Sequence, residues 1–186
     1  MGRRSDFPRR PMDAYATPAE AVGPLLPHLT KTRFIEPCAG DGALVILLNN
    51  AGLFCAQASD IAPRRPDVVQ RDARTSIWPD LFASVFITNP PWTRRDLHPI
   101  IINLSNQKPT WLLFDAAWLF TGQAAPYVNR IRKIVSVGRV KWIAGSPHAG
   151  KDDAVWYLFD KPQERIAFEF VPTGGTENPT DFELEI

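Results

Sequence analysis

The stretch FIEPCAGDGAL, residues 34–44, decides the fold of this 186-residue chain. Its apolar start predicts a short strand that ends at Glu36, and the close pair Gly40 and Gly42 predicts a tight turn. The apolar residues that follow predict a helix over 43–51. A strand, a glycine turn and a helix in so short a space indicate the first unit of an alternating α/β fold.

The rest of the chain continues this alternation. Strands are predicted at 33–36, 53–59, 67–70, 81–88 and 110–115, and helices near 18–29, 97–106 and 123–132. Two further β-rich segments, 134–143 and 154–159, predict a long antiparallel hairpin. The expected fold is therefore α/β, a doubly wound and mostly parallel sheet with an antiparallel C-terminal hairpin at one edge.

Two local signals refine this prediction. Thr17, Pro18 and Glu20 have the spacing of a capping box, with Thr17 as the cap of the first helix. Pro63 and Pro66 exclude a long helix between the second and third strands, so that crossover must be short.

Composition indicates one compact unit. Hydrophobic residues make up 45% of the chain and the formal net charge is +1, so the strong overall basicity typical of many nucleic-acid binders is missing. We expect a flexible basic arm (1–12), a single domain (13–172) and an acidic tail (173–186). With no apolar run that suits a membrane span or a secretion signal, the expected location is the cytoplasm. The two cysteines predict reduced thiols and no metal site.

The glycine turn favours a cationic ligand of nucleotide type. Two close glycines let backbone N–H groups approach a ligand, but Val45 stands where the dinucleotide-binding fingerprint needs its third glycine. Glu36 would repel a pyrophosphate placed beside it. Asp60 and Asp72 follow the next two predicted strands, so three acids are expected at the same edge of the sheet. Taken singly, each could also be a solvated loop carboxylate.

The segment EPCAGDG, residues 36–42, resembles the cofactor loop of the S-adenosylmethionine-dependent methyltransferases. This resemblance implies their Rossmann-like fold and S-adenosylmethionine as the cofactor. It implies that Glu36 contacts the methionine part, Asp60 the ribose hydroxyls, Ile61 the adenine ring and Asp72 the adenine amino group. The full set of cofactor residues implied is Tyr15, Thr17, Glu36, Pro37, Ala39, Gly40, Gly42, Asp60, Ile61, Asp72 and Ala73.

A second segment, FITNPPW at residues 86–92, ends the fourth predicted strand in a stiff cluster. The prolines restrict the backbone and leave carbonyl oxygens free. The Asn89 side-chain oxygen and the Pro90 carbonyl could receive both N–H groups of an exocyclic amine, while Trp92 offers a face for base stacking worth about 1–3 kcal/mol. Fixing both reactants there could remove about 7–11 kcal/mol of barrier. The structural alternative is a strand ended by a Pro-Pro turn with a core tryptophan.

NPPW also resembles the (Asn/Asp/Ser)-Pro-Pro-aromatic motif of amino-methyltransferases. The resemblance implies Asn89, Pro90, Pro91 and Trp92 as the catalytic residues. Asparagine in first place is typical of adenine-N6 enzymes, but similar motifs serve enzymes that modify RNA bases and glutamine amides. The motif therefore indicates the type of nitrogen better than it indicates the polymer.

Two resemblances favour DNA. DAYATP, residues 13–18, resembles the N-terminal cofactor motif of the DNA enzymes, which implies that Tyr15 and Thr17 close over the methionine carboxylate. The segment 138–159 resembles the late strands of small phage-type adenine-N6 methyltransferases, where this region lines the base pocket; His148 in its loop is more typical of a solvated residue. The substrate contacts implied are Trp92, Arg94, Arg95, Lys141, Trp142 and Lys151.

No segment of the sequence is expected to form a separate target-recognition domain. We therefore expect little sequence specificity, a DNA partner, a homodimer or accessory recognition subunit, and a phage or prophage source. Three alternatives stay open: a methyltransferase acting on RNA or on a protein glutamine, a non-catalytic S-adenosylmethionine-binding module, and, less favoured by the missing third glycine, a nicotinamide-dependent oxidoreductase.

Overall fold

A computed structural model describes residues 15–30, 32–79, 81–143 and 150–172. Within these ranges the chain forms one sheet in the order β3-β2-β1-β4-β5-β7-β6-β8. Every strand is parallel to the others except β7, which runs antiparallel to both of its neighbours. The strands are β1 (Arg33–Glu36), β2 (Phe54–Asp60), β3 (Val69–Gln70), β4 (Val85–Thr88), β5 (Thr110–Asp115), β6 (Ile131–Arg139), β7 (Asp153–Phe159) and β8 (Glu169–Val171).

Helices cover both faces of the sheet. The α-helices are α1 (Ala19–Val22), α2 (Ala43–Asn50) and α3 (Arg94–Gln107), and 3₁₀ helices span Gly23–His28, Ala116–Phe120 and Gly122–Arg130. Successive residues of a strand point to opposite faces. Accordingly Phe86 joins a buried cluster with α3, whereas Ile87 joins a second cluster with α1 and α2.

The predicted fold class is confirmed, and β1 and β5 have the predicted bounds. The third and fourth strands are shorter than predicted, since β3 has two residues and β4 begins at Val85. No helix lies between β2 and β3 in the described chain, as Pro63 and Pro66 predicted. The helices predicted near 18–29 and 123–132 are largely 3₁₀ helices, because prolines within them lack the N–H that an α-helix needs.

The capping prediction was wrong. Pro18 is the N-cap of α1 and no side chain caps that helix. Glu20 instead accepts a hydrogen bond from the backbone N–H of Lys141, which ties the helix to the chain after β6. The Thr17 hydroxyl lies against Asn89.

The predicted antiparallel hairpin β6-β7 is confirmed, at one end of the sheet. Its strand β7 pairs with β5 and β6, and a short strand that was not predicted, β8, forms the outer edge beyond β6. The loop 144–149 with His148, the whole predicted arm and the predicted tail lie outside the described residues. No helix in the described part of the chain is long and apolar enough to cross a membrane.

Candidate active site at the carboxyl ends of the strands

The turn after β1 depends on its glycines. Gly40 has a φ of +54° and Gly42 a φ of +80°, conformations that side-chain-bearing residues rarely adopt. Gly42 is also the N-cap of α2. A Cβ at Gly42 would lie 2.6 Å from the Arg65 guanidinium, which leans over the turn. Because glycine suits both positions, the local sequence dictates a tight loop between β1 and α2.

Glu36 is a buried acid with an unsatisfied oxygen. The residue is 2% exposed, and its Oε2 atom has no hydrogen-bond partner among the residues that the structure describes. Burial raises the pKa of this carboxyl group well above its ordinary value, the charges of Asp60 and Asp41 raise it further, and a hydrogen bond from the Val45 backbone opposes the shift. A buried carboxylate oxygen without a hydrogen-bond donor lowers the stability of the folded protein unless a ligand supplies that donor.

Asp60, the last residue of β2, connects the turn after β1 with the loop after β2 through hydrogen bonds. Its Oδ2 atom accepts from the Gly40 N–H at 2.8 Å, and its Oδ1 atom accepts from the Ala62 N–H at 2.8 Å. A carboxylate oxygen has room for a second donor, so both oxygens keep acceptor capacity. The carboxylate predicted from the sequence thus also shapes the glycine turn.

Asp72 does not stand free as the sequence suggested. Arg74 forms a two-point ion pair with it: Nε donates to Oδ1 at 3.0 Å and Nη2 donates to Oδ2 at 2.8 Å. The Arg74 Nη1 atom also reaches Asp96 at 2.8 Å. The hydrogen bonds from Arg74 lower the pKa of Asp72. Sequence analysis missed Arg74, whose only signal was a cation two residues after a candidate acid.

These groups line one cavity of about 320 Å³. All the predicted cofactor residues contribute to its wall except Gly42. Among the predicted catalytic residues, Asn89 and Pro91 line it, whereas Pro90 and Trp92 do not. Lining residues that sequence analysis did not identify include Cys38, Asp41, Arg64, Arg74, Asp96 and Ile100.

Asn89 is held at both ends of its carboxamide. Its Nδ2 atom donates to the Thr17 hydroxyl at 3.2 Å, and its Oδ1 atom accepts from the Trp92 indole N–H at 3.2 Å. The same indole N–H donates to the Leu113 carbonyl at 3.1 Å. The segment that precedes α1 and the strand β5 therefore both fix the residue that follows β4.

Trp92 is packed inward rather than presented as an open face. It is half-buried, contacts both core clusters and meets Trp142 edge to face, with ring centroids 5.4 Å apart. Base stacking on this ring therefore stays a prediction.

The other predicted substrate residues are dispersed. Arg95 is exposed and lines the cavity, whereas Arg94 pairs with Asp115 at 3.4 Å. Lys141 and Lys151 are exposed and are not among the cavity residues. Within the described ranges no three His, Cys, Asp or Glu side chains cluster in a way that could hold a metal ion.

Comparison with known proteins supports the fold. No protein-family model matches the sequence, and no curated protein matches it. A dimethyladenosine transferase from Plasmodium falciparum is similar in structure, with a TM-score of 0.54 at 16% identity over 81% of this chain and 63% of that protein. This chain thus spans less than two thirds of that protein's length.

Two further solved structures are similar over most of their length. A candidate RNA methyltransferase from Pyrococcus horikoshii has a TM-score of 0.53 at 12% identity, over 87% of this chain and 93% of its own. A candidate hemolysin from Lactococcus lactis has a TM-score of 0.55 at 10% identity, over 83% and 92%. At these identities the likeness concerns the fold alone, and it confirms the predicted Rossmann-like fold with its mostly parallel sheet.

Proposed function

We propose that this chain is an S-adenosylmethionine-dependent methyltransferase that methylates an exocyclic amine, N6 of adenine in DNA. One observation carries the proposal. The unpaired carboxylate oxygen of Glu36 and the carboxamide of Asn89, which came from two separate sequence motifs, belong to residues that line the same cavity. A carboxylate that suits a cation and a carboxamide that suits an amine, both in the wall of one cavity, fit methyl transfer from a cationic donor to an amine.

The residues of the cavity fit this cofactor. The free Oε2 atom of Glu36 suits a donor such as the ammonium of the methionine part, and Asp41 and Asp60 add negative charge nearby. Asp60 keeps acceptor capacity for ribose hydroxyls. The exposed side chain of Ile61 offers apolar surface to the adenine ring. Because Arg74 occupies Asp72, an adenine amino group there would share a carboxylate that is already paired.

S-adenosylmethionine would supply an electrophilic methyl group carried by a sulfonium. The chain's own part is to hold and orient the amine. The Asn89 Oδ1 atom has a second lone pair beyond the one taken by Trp92. The second acceptor proposed is the carbonyl of Pro90, a buried residue that does not line the cavity of the free protein. Two such acceptors favour a pyramidal nitrogen whose lone pair faces the methyl group. The amine becomes acidic only after attack, so no general base is assigned.

RNA is the second candidate for the polymer that carries the amine. The motifs DAYATP and NPPW and the hairpin sequence favour DNA. RNA is favoured by the two similar structures whose names refer to adenosine dimethylation and to RNA methylation. A protein glutamine has no comparable support.

The test is transfer of labelled methyl from S-adenosylmethionine to DNA, RNA and protein, followed by mass spectrometry of the nucleosides. We expect N6-methyldeoxyadenosine from DNA. Asn89→Ala should lower turnover by about a hundredfold or more, in the range found when one transition-state hydrogen-bond donor is removed from an enzyme. Its cofactor affinity should change little.

Asn50→Ala, at the exposed end of α2, is the matched control and should turn over normally. Normal turnover by Asn89→Ala would mean that the Asn-Pro-Pro corner is only structural. Methylation confined to RNA would select the second candidate. Cofactor binding without transfer to any polymer would indicate a binding module.

A further inference from the structure

The hydrogen-bonded pairing of β4 with β5 stops at Pro90 because proline has no backbone N–H. The Phe86 N–H donates to the Pro109 carbonyl at 3.0 Å. In a parallel pair of strands, every second residue of β4 directs its N–H toward β5. The observed register therefore places the backbone nitrogen of residue 90 opposite the Leu113 carbonyl. Pro90 has no N–H to give. The Leu113 carbonyl therefore needs another donor.

Trp92 supplies that donor from its side chain. Its indole Nε1 lies 3.1 Å from the Leu113 oxygen, in place of the amide that Pro90 lacks. The same N–H is 3.2 Å from the Asn89 Oδ1 atom, so it bridges the strand β5 and the carboxamide. The backbone oxygen of Trp92 accepts from Arg94, and its ring meets the Trp142 ring edge to face. The indole is thereby fixed by the contacts with Leu113, Asn89 and Trp142, and the Trp92 backbone by the contact with Arg94.

This bridge decides which way the Asn89 carboxamide points. The two ends of a carboxamide are nearly equal in shape but opposite in hydrogen bonding, and an indole nitrogen can only donate. Oδ1 must therefore face Trp92. The Thr17 hydroxyl, at the other end, can donate or accept, so it tolerates either orientation. Of the two contacts, only the one with Trp92 is selective.

We propose that Trp92 is a positioning residue that acts through its indole N–H, by holding the Asn89 oxygen in the orientation that accepts the substrate amine. This inference rests on the proposed function. A flipped carboxamide would turn an NH₂ group toward the amine, and two donors would then face each other. Phenylalanine at this position could stack on a base, but it could not fix the orientation of the Asn89 carboxamide because it has no N–H.

The kinetic test removes the N–H and keeps the ring. Trp92 is replaced by 3-benzothienylalanine, in which sulfur stands in place of the indole N–H, and in parallel Trp92→Phe is made. We expect kcat for methyl transfer to fall about tenfold in both, equivalent to about 1.4 kcal/mol. KM for S-adenosylmethionine should stay within about twofold, because Trp92 does not line the cavity. With the benzothienyl ring, KM for the nucleic acid should also be unchanged.

An unchanged kcat in the benzothienyl protein would overturn the inference, since shape and stacking alone would then account for Trp92. A raised KM for nucleic acid with normal kcat would lead to the same conclusion. These comparisons of variant with wild-type kcat and KM test only the role of Trp92. Absence of transfer by the wild-type protein would instead contradict the proposed function.

A second measurement tests the contact without any turnover. The indole resonance of Trp92 is identified in a ¹H–¹⁵N spectrum as the one lost in Trp92→Phe. It should move when Asn89→Ala removes one acceptor, and its hydrogen exchange should accelerate. A resonance unaffected by Asn89→Ala would overturn the bridge even in a protein with no activity, so failure of the inference and failure of the proposed function are distinguishable.

Discussion

At the scale of single residues, Glu36 links stability to cofactor binding. Its folded-state pKa is raised, so the folded protein binds this proton more tightly than the unfolded chain does. Stability contributed by the protonated form is therefore lost as pH rises from the unfolded value toward the folded one. In the proposed function this cost is offset when the cofactor binds, because the charged form is the one that would hold its ammonium group.

Glu36→Gln should separate the two effects. We expect a higher Tm for the free variant than for the free wild type at pH values above the raised pKa of Glu36, where the wild type must hold a buried charge. Cofactor affinity should fall about tenfold to a hundredfold, since a hydrogen bond to a charged group contributes about 1.5–3 kcal/mol. Calorimetric titration and thermal unfolding measure both.

The exposed Glu164→Gln variant is the control and should change neither quantity. In the wild type, cofactor affinity should weaken as pH falls toward the raised pKa of Glu36, and the Glu36→Gln variant should lose that dependence. Equal cofactor affinity in variant and wild type would mean that Glu36 is only a structural acid.

Sequence analysis performed best where the chemistry is local. A glycine at positive φ, or a proline without an N–H, carries its constraint in its own covalent structure, so the glycine turn and the proline corner could be located. The pairing of Asp72 with Arg74 and the inward packing of Trp92 could not be predicted. Both depend on which way a side chain turns among its neighbours in the fold.

At the scale of elements, the junction of β1 and α2 depends on Gly42. Gly42→Ala should destabilise the protein by about 1–2 kcal/mol, the cost of a left-handed conformation for a residue with a Cβ, and should also displace Arg65. Cofactor binding should weaken because the turn shifts. Chemical denaturation and cofactor titration measure the two effects.

Gly122→Ala is the matched control. Gly122 begins a 3₁₀ helix, it is not among the glycines of positive φ, and a Cβ added there would have no atom of the described chain within 4 Å. Alanine there should be neutral or stabilising by about 0.5–1 kcal/mol. A Gly42→Ala protein as stable as the Gly122→Ala protein would contradict the account of the turn.

The helix α3 carries a titratable contact with the core. The Nε2 atom of His98 accepts from the Trp118 indole at 3.1 Å, and its ring packs on Tyr127 with centroids 4.6 Å apart. Burial, with a smaller effect of Arg94, lowers the pKa of His98 below its ordinary 6.5. The unfolded chain therefore takes up the proton first, and stability falls as pH drops through about 6.5.

His98→Gln keeps an acceptor but does not titrate. The free energy of unfolding of the wild type should fall more steeply between pH 7.5 and 5.5 than that of the variant, as followed by urea denaturation. Parallel pH profiles for the two proteins would show that His98 does not contribute to acid sensitivity.

Elements with strong local signals were predicted well. The strand β5 has five buried residues out of six, and it was predicted with its observed bounds. The strand β8 was not predicted, because three residues carry no periodicity and the strand exists only by pairing with β6. Two of the three 3₁₀ helices in the described chain, Gly23–His28 and Gly122–Arg130, were predicted as ordinary helices, since the same apolar pattern suits both until prolines remove donors. The third, Ala116–Phe120, was not predicted.

At the scale of the whole molecule, the sheet order brings the motifs together. The strand β1 lies between β2 and β4, so Glu36, Asp60 and Asn89 follow three neighbouring parallel strands and meet at one edge. The segment that carries Thr17 then reaches across to Asn89. Alternation of strands and helices predicted this meeting, but the position of β7 inside the sheet follows only from long-range pairing.

The central claim is that the cavity directs the methyl group of S-adenosylmethionine at a substrate amine held by the Asn89 carboxamide. The most direct measurement is a crystal structure of the protein with S-adenosylmethionine. The account predicts the ammonium against Glu36 and the methyl carbon facing the space next to the Asn89 Oδ1 atom. A methyl carbon pointing away from Asn89, or an Asn89 oxygen enclosed by the protein's own atoms with no room for an amine, would contradict it.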